Sequence, residues 1–316
     1  MSKGRPGKAA REKARKPRGK HASGHPGKGH PKATVAQRRR AHGVVVAAGG
    51  AEIGVTPENP DGVRLNRWLA ERGVASRRKC DALIQEGSVE VNGEILMEMG
   101  YRVQAGDTVR VEGRPVKEVR RLYYLFYKPK GVLCTDDPRE NRTRVSDLVT
   151  SLVAGRVYTV GRLDEDSEGL LLLTNDGDFA NLIAHPRHGV PKTYLVQVAG
   201  HVTAEAVQEL RDGVWLADGK VTPERVRISH RTPVYTTVEI CMREGRNREI
   251  RRLLARVGFK VRNLKRVRIG DLGVKGVKRG GIRPLSREER DDLVAVALRL
   301  KAEKAPPAPR RRKSKG

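Results

Sequence analysis

GRLDEDSEGLLLLTNDG, residues 161–177, sets an acidic loop directly before four consecutive leucines and closes them with Asn175-Asp176-Gly177. A short apolar run bounded by a polar loop and a turn triplet reads as a buried strand. A loop that feeds a rigid strand is a good place to hold a side chain in fixed geometry. Working outward, further strands are predicted over 156–160, 193–198 and 236–242. LYYLFYKP, opening at Leu122, is another, stopped by Pro129. Helices are predicted over 178–184, 204–211 and 247–257. A last one, over 286–301, starts at Ser286 with Glu288 and Glu289 in its first turn. Helices and strands mix without a regular βαβ rhythm, so the fold class is α+β, not doubly wound.

Upstream lies a smaller unit. VRLNRWLAERG carries apolar residues at Val63, Leu65, Trp68 and Leu69, consistent with a short helix punctuated by Gly73. Ser76 can cap a second helix over 77–86, with Cys80, Leu83 and Ile84 on its buried face and Gly87 ending it. SVEVNGEIL then alternates about Asn92-Gly93, a hairpin signal, and GDTVRVEG supplies another strand. The wording LNRWLAERGVASRRKCDALIQEGSVEVNG resembles the RNA-binding domain named after ribosomal protein four of the small ribosomal particle. That resemblance implies that Arg72, Arg77, Arg78 and Lys79 contact RNA phosphates at and before a helix start. Without it, the same residues would be an ordinary solvated basic face.

The chain carries 65 Lys and Arg against 37 Asp and Glu, a net charge of +28 that calls for a polyanionic partner. Residues 1–43 hold fourteen bases and the single acid Glu12, and residues 304–316 hold six bases and no acid. Two thirds of the excess therefore lies in the ends, and the middle is still basic. The Lys-, Arg-, Gly- and Pro-rich ends cannot bury enough apolar area to offset ordering, so they read as disordered basic tails. The expected organisation is a tail and linker at 1–62, an RNA-binding domain at 63–120, a catalytic domain at 121–303 and a tail at 304–316. Cys80, Cys134 and Cys241 are far apart with no CxxC pair, which gives neither a zinc ribbon nor a disulfide framework and fits a cytoplasmic protein. No apolar run nears the roughly 20 residues that span a bilayer, and the N-terminus lacks a secretory apolar core, so no membrane is expected. A monomer is expected, for want of a long uncovered apolar stripe.

Taken alone, Asp164, Glu165 and Asp166 fit a solvated turn, a magnesium site, or one catalytic carboxylate with bystanders. Four further strings accompany them: YKPKGVLCT (127–135), KTYLVQVAG (192–200), EGRNREIRRLLARVG (244–258) and RVRIGDLGVKGVKRGGIRPL (266–285). Together they resemble the bacterial ribosomal pseudouridine synthases, in the group that joins the type A enzymes of 16S rRNA to the type B, E and F enzymes of 23S rRNA. KRGGIRPL is most like the type B branch. The resemblance implies that Asp164 is the essential carboxylate, that Arg162 helps displace the flipped base, and that Tyr194 stacks on it. It implies further that Arg251 pairs with the aspartate. Arg246, Arg248 and Arg252 lie close enough in sequence to be confused with Arg251.

The chemistry so implied suits these residue types. The ribose–nitrogen bond of a uridine breaks, the uracil turns, and it rejoins through carbon five. The base must first leave its stack, which a basic groove and an aromatic platform assist. A carboxylate then adds to the anomeric carbon or removes the neighbouring ribose proton, and a guanidinium keeps it ionised and in place. No cofactor or metal is called for, and the implied partner is ribosomal RNA, with 23S rRNA or its precursor expected first. Competing readings are a 16S enzyme, a non-catalytic ribosome-binding factor, and a metal-dependent RNA hydrolase. Glu165, Asp166 and Asp176 read as structural, and His185 and His188 as loop residues.

Overall fold

The computed structural model describes residues 62–137 and 139–303. The two expected basic tails, and the linker up to residue 61, lie outside the described residues. The first part of the chain comprises β1 (Val63–Arg64), α1 (Leu65–Glu71), α2 (Arg77–Gln85), β2 (Val89–Val91), β3 (Glu94–Ile95), β4 (Arg102–Val103), β5 (Val109–Val111) and β6 (Arg114–Pro115). β3-β2-β5-β6 form one antiparallel sheet and β1 pairs with β4. Val63 thus belongs to a strand and the helix starts at Leu65. The pairing of Val63 with Val103 satisfies backbone groups that a helix start would leave open. Ser76 caps α2 by accepting from the Lys79 amide at 3.3 Å. Cys80 and Ile84 are buried under α1, whereas Leu83 is only half-buried. Asn92, with φ 56°, and Gly93 make the β2–β3 turn.

The second part comprises β7 (Tyr123–Lys128), α3 (Val145–Val149), β8 (Tyr158–Val160), β9 (Glu168–Thr174), α4 (Gly177–Ala184), β10 (Lys192–Ala199), α5 (Ala204–Asp212), β11 (Val214–Leu216), β12 (Gly219–Val221), β13 (Arg225–Arg231), β14 (Tyr235–Met242), α6 (Glu249–Arg256), β15 (Val261–Ile269), β16 (Leu272–Gly273), β17 (Ile282–Pro284) and α7 (Arg287–Glu303). Nine strands form one mixed sheet in the order β13-β14-β10-β15-β9-β7-β17, with β16 on β15 and β8 on β9. Only β15 and β9 run parallel. This is the α+β architecture expected. β13, β15 and β17 were not legible as strands, because their alternation is carried by Arg, Lys and Asn.

β9 is buried along its whole length. Leu170 and Leu172 pack with Leu125, Phe179, Ile183 and Leu293 on one side, while Leu171 and Leu173 pack with Phe126, Val145 and Val149 on the other. Gly169 permits the parallel pairing. Its φ is +110°, and a Cβ there would lie 2.2 Å from the Arg266 carbonyl oxygen. The close approach of β15 to the start of β9 sets the depth of the loop that precedes it. The small first sheet is tied to the large one by Arg67 on α1, whose guanidinium bonds Glu71 and Asp178 at the start of α4.

Candidate active site

Residues 161–167 are held from below. The Leu163 side chain is buried in the core and its amide donates to Cys134 Sγ at 3.5 Å. Lys128, fully buried at the end of β7, donates through Nζ to the carbonyls of Pro129 (3.0 Å), Ser167 (2.8 Å) and Glu165 (3.4 Å). Burial pulls this ammonium below its ordinary range, and Cys134 and the acids of the loop oppose that shift. The Gly131 amide adds a bond to the Glu165 carbonyl at 2.8 Å, and the Ser167 amide bonds back to Asp164 O at 3.1 Å. With its backbone so fixed, the loop points the Asp164 carboxylate outward, its side chain 30% exposed.

Asp164 stands where two hollows meet. One, of about 90 Å³, is walled by Arg162, Tyr194, Met242, Ile250 and Leu264. The other, of about 490 Å³, is an open groove bounded by Leu133, Cys134, Thr135, Asn247 and Arg248. Arg162 is exposed and lines both. Tyr194, on β10 between Ile240 and Arg266, is 9% exposed and lines the smaller hollow. Sequence positions 162, 164 and 194 are therefore brought together around one small, partly apolar cavity.

The four arginines that the sequence leaves confusable separate in space. Arg252 is bidentate to Asp218 at 2.8 and 2.9 Å. Arg246 is held by Glu244 (2.8 Å) and the Asp218 carbonyl (2.7 Å). Arg248 and Arg251 face the acidic loop. Arg251 Nη2 lies 3.2 Å from Asp166 Oδ2 and donates to the Asp166 carbonyl and Ser167 Oγ. Arg248 reaches Asp166 Oδ2 at 3.3 Å and Asp164 Oδ2 at 3.6 Å. The expected Arg251–Asp164 pair is thus replaced by Arg251–Asp166, and Arg248 is the guanidinium nearest the expected catalytic carboxylate. The reason is geometric. Arg248 precedes α6 in a left-handed conformation, φ 46°, which turns its side chain across the loop, while Arg251 lies one turn on, beneath Asp166. The same conformation starts α6 at Glu249, two residues later than predicted.

A family model described as RNA pseudouridylate synthase matches residues 122–256, and one described as S4 domain matches residues 63–109. Ribosomal large subunit pseudouridine synthase B of Bacillus subtilis is 38% identical over 236 residues, covering 74% of this chain and 96% of that protein. The chain belongs to the RNA pseudouridine synthases. The Vibrio cholerae protein of the same name is 41% identical over 225 residues, covering 69% of this chain and 70% of that one. A crystal structure of a pseudouridylate synthase superposes with a TM-score of 0.53 at 28% identity, over 74% of this chain and all of that one.

Sequence reasoning of this synthase missed Lys128 beneath the acidic loop, and named Arg248 only as a residue that could be confused with Arg251. Lys128 had a signal. It follows Phe126 by two in a strand, so alternation places it on the same buried side, where a lysine needs several acceptors. No signal set Arg248 rather than Arg251 against Asp164, since that choice depends on the left-handed backbone at Arg248. On the S4 domain, Arg77, Arg78 and Lys79 are exposed in the first turn of α2. Arg72 packs back on its own helix. It stacks 3.7 Å over the Trp68 ring and donates to the Trp68 carbonyl, and burial lowers its pKa. Asp176 caps α4 and also accepts from Tyr123 Oη and Arg121, each at 2.6 Å.

Proposed function

We propose that this synthase isomerises one uridine of 23S ribosomal RNA, with Asp164 as the catalytic carboxylate. The observation that carries the reading is the placement of Asp164 at the mouth of the small cavity walled by Tyr194 and Arg162. A uracil extruded into that cavity stacks on Tyr194, and Arg162 takes its place in the RNA. Asp164 then meets the ribose. The bond from C1′ to N1 breaks, uracil turns, the bond from C1′ to C5 forms, and the C5 proton leaves as N1 is protonated. Arg248 and Arg251, shared between Asp164 and Asp166, hold the carboxylate in place. Arg77, Arg78 and Lys79, with Arg72 behind them, contact phosphates of the surrounding RNA.

Specificity for 23S rRNA follows the names of the relatives and the KRGGIRPL string. The division is taken as 1–62, 63–120, 121–303 and 304–316, with RNA-grasping basic ends, a cytoplasmic setting and a monomeric chain. Among the described residues no helix is long and apolar enough to cross a membrane. The test is Asp164→Asn in a strain lacking the native gene, with both ribosomal RNAs probed by carbodiimide and primer extension. Loss of one stop in 23S rRNA with RNA binding intact is the expected result. A stop that persists removes Asp164 from the chemistry, and a lost stop in 16S rRNA removes the 23S assignment.

A further inference from the structure

The far end of β9 from Asp164 carries a second concavity that the isomerisation chemistry does not use. It has a volume of about 500 Å³ and lies at the junction of the S4 domain with the catalytic sheet. Its walls come from Gly73, from the connecting segment 119–122, from Tyr124 on β7, from the loop 154–156, and from Pro284 and Leu285. β9 contains seven residues, so at about 3.3 Å per residue this hollow is roughly 20 Å from the catalytic loop.

The floor is built from polar side chains that are themselves buried. Asn175 accepts from the Leu122 amide at 2.7 Å and donates to the Arg120 carbonyl at 2.9 Å, and Thr174 Oγ1 donates to the Leu122 carbonyl at 2.6 Å. These bonds pin the connecting segment to the end of β9. Above them the lining holds three arginines, Arg120, Arg121 and Arg156, and no carboxylate. Arg121 is neutralised by Asp176 beneath the floor. Arg120 and Arg156 are exposed, and among the described residues neither side chain has a hydrogen-bonding or ionic partner.

Arg156 also borders a neighbouring hollow of about 500 Å³ that contains Arg67 and Arg77. That one carries Glu71, Asp136 and Asp178 as well, so its lining charges cancel. The charge balance therefore selects the first hollow. Two free guanidiniums over an apolar and tyrosine wall suit a chain of phosphodiesters, because each guanidinium offers paired donors to phosphate oxygens and the flat walls tolerate any base. A protein partner would need acidic side chains at a matching spacing, whereas RNA supplies a phosphate at every residue.

We infer that the junction hollow bearing Arg120 and Arg156 is a second RNA site, which holds the phosphate backbone of a single-stranded segment away from the reacting uridine. The site rests on the reading of the chain as an RNA-modifying enzyme but not on Asp164 as its carboxylate. It makes the S4 domain and the catalytic sheet a joint clamp, with Arg67 fixing their relative placement.

The test measures binding of the full-length chain to a fluorescein-labelled oligouridylate strand across a salt series. Each arginine that neutralises one phosphate contributes about 0.7 to the slope of log K against log salt for a single strand. Arg156→Ala and Arg120→Ala are each expected to flatten the slope by about that amount, and Arg156→Lys is expected to restore it. Photo-crosslinking of 4-thiouridine-labelled strand should mark peptides within 119–124 or 154–156. An unchanged slope in both alanine variants, with crosslinks confined to other segments, overturns the site. Asp164→Asn run in parallel separates the two readings. If that variant still makes pseudouridine while the arginine variants lose slope, the catalytic assignment fails and the hollow stands. The reverse pattern removes the hollow and leaves Asp164.

Discussion

Arg251 is paired with Asp166, at 3.2 Å, and Asp164 is left to Arg248 at 3.6 Å. Two acids thus compete for two guanidiniums, and the tighter contacts belong to the acid not assigned to chemistry. Arg251 is also the more buried of the two bases, with a side chain 12% exposed. Burial pulls its pKa down and Asp166 is the main opposing influence. Asp166 therefore acts as a holder for the arginine pair. Asp166→Asn is expected to lower kcat about tenfold, or about 1.4 kcal/mol of barrier. RNA affinity should change little, because Asp166 bonds the protein's own arginines and, as an acid, offers a phosphate no contact. Single-turnover kinetics and a binding titration give the two numbers, and an Asp166→Glu variant should recover most of the rate. Loss of affinity with unchanged kcat would contradict this role.

Lys128 holds the acidic loop from beneath through three carbonyls. Lys128→Met keeps the length of the stem and removes the donors, leaving those oxygens buried without them. A loss of about 3 kcal/mol in unfolding free energy is expected from urea titration. A fall of about a hundredfold in single-turnover rate is expected as the loop loses its register. If the rate is kept while stability falls, the clamp serves the fold alone.

Gly169→Ala tests the strand crossing. The added Cβ meets the Arg266 carbonyl at 2.2 Å, and the φ of +110° is one that side chains rarely adopt. Both faults act on backbone that cannot swing aside. The variant is expected to lose about 4 kcal/mol or fail to accumulate folded, read by thermal melting. A melting temperature near that of the parent would show that β15 can shift away from β9.

Lys192 opens β10 and donates to the Val190 carbonyl at 3.0 Å. Burial, with Arg266 nearby, brings its pKa from the ordinary 10.5 down to about 8. The native chain then sheds this proton earlier than the unfolded chain. Between pH 8 and 10.5 the unfolded state binds more protons, and stability rises with pH. Below pH 8 both states are charged and the burial cost is felt in full. Tyr123 and Tyr158, both pushed up to about 12, act in the opposite sense above pH 10. Urea unfolding between pH 8 and 10 should therefore show the parent gaining up to about 2–3 kcal/mol relative to Lys192→Met. Parallel stability curves for the two proteins would place the Lys192 ammonium in contact with water.

Most of the architecture could be read along the chain, because local pattern and tertiary environment agree there. The four leucines of β9, the Ser76 and Ser286 helix starts and the Asn92-Gly93 turn each depend on neighbours within a few residues. Strands that escaped reading, β13, β15 and β17 among them, carry arginine, lysine or asparagine within their alternation, so it does not look apolar. Asp164, Arg162 and Tyr194 were identifiable as residue types in a recognisable order, and the fold brings all three to the lining of one cavity.

Order along a chain specifies which chemical groups are available and which segments prefer helix or strand. It was enough here for the α+β class, the S4-like beginning, the acidic loop before a buried strand, and the excess of positive charge. Which arginine faces which acid was settled by folding. A guanidinium reaches across several ångströms, and its partner depends on a backbone angle at Arg248 and on the packing of α6 against the sheet. The Lys128 clamp, the Gly169 crossing and the arginine-lined hollow at the domain junction belong to the same group. Each joins segments tens of residues apart, through distances that no local pattern encodes.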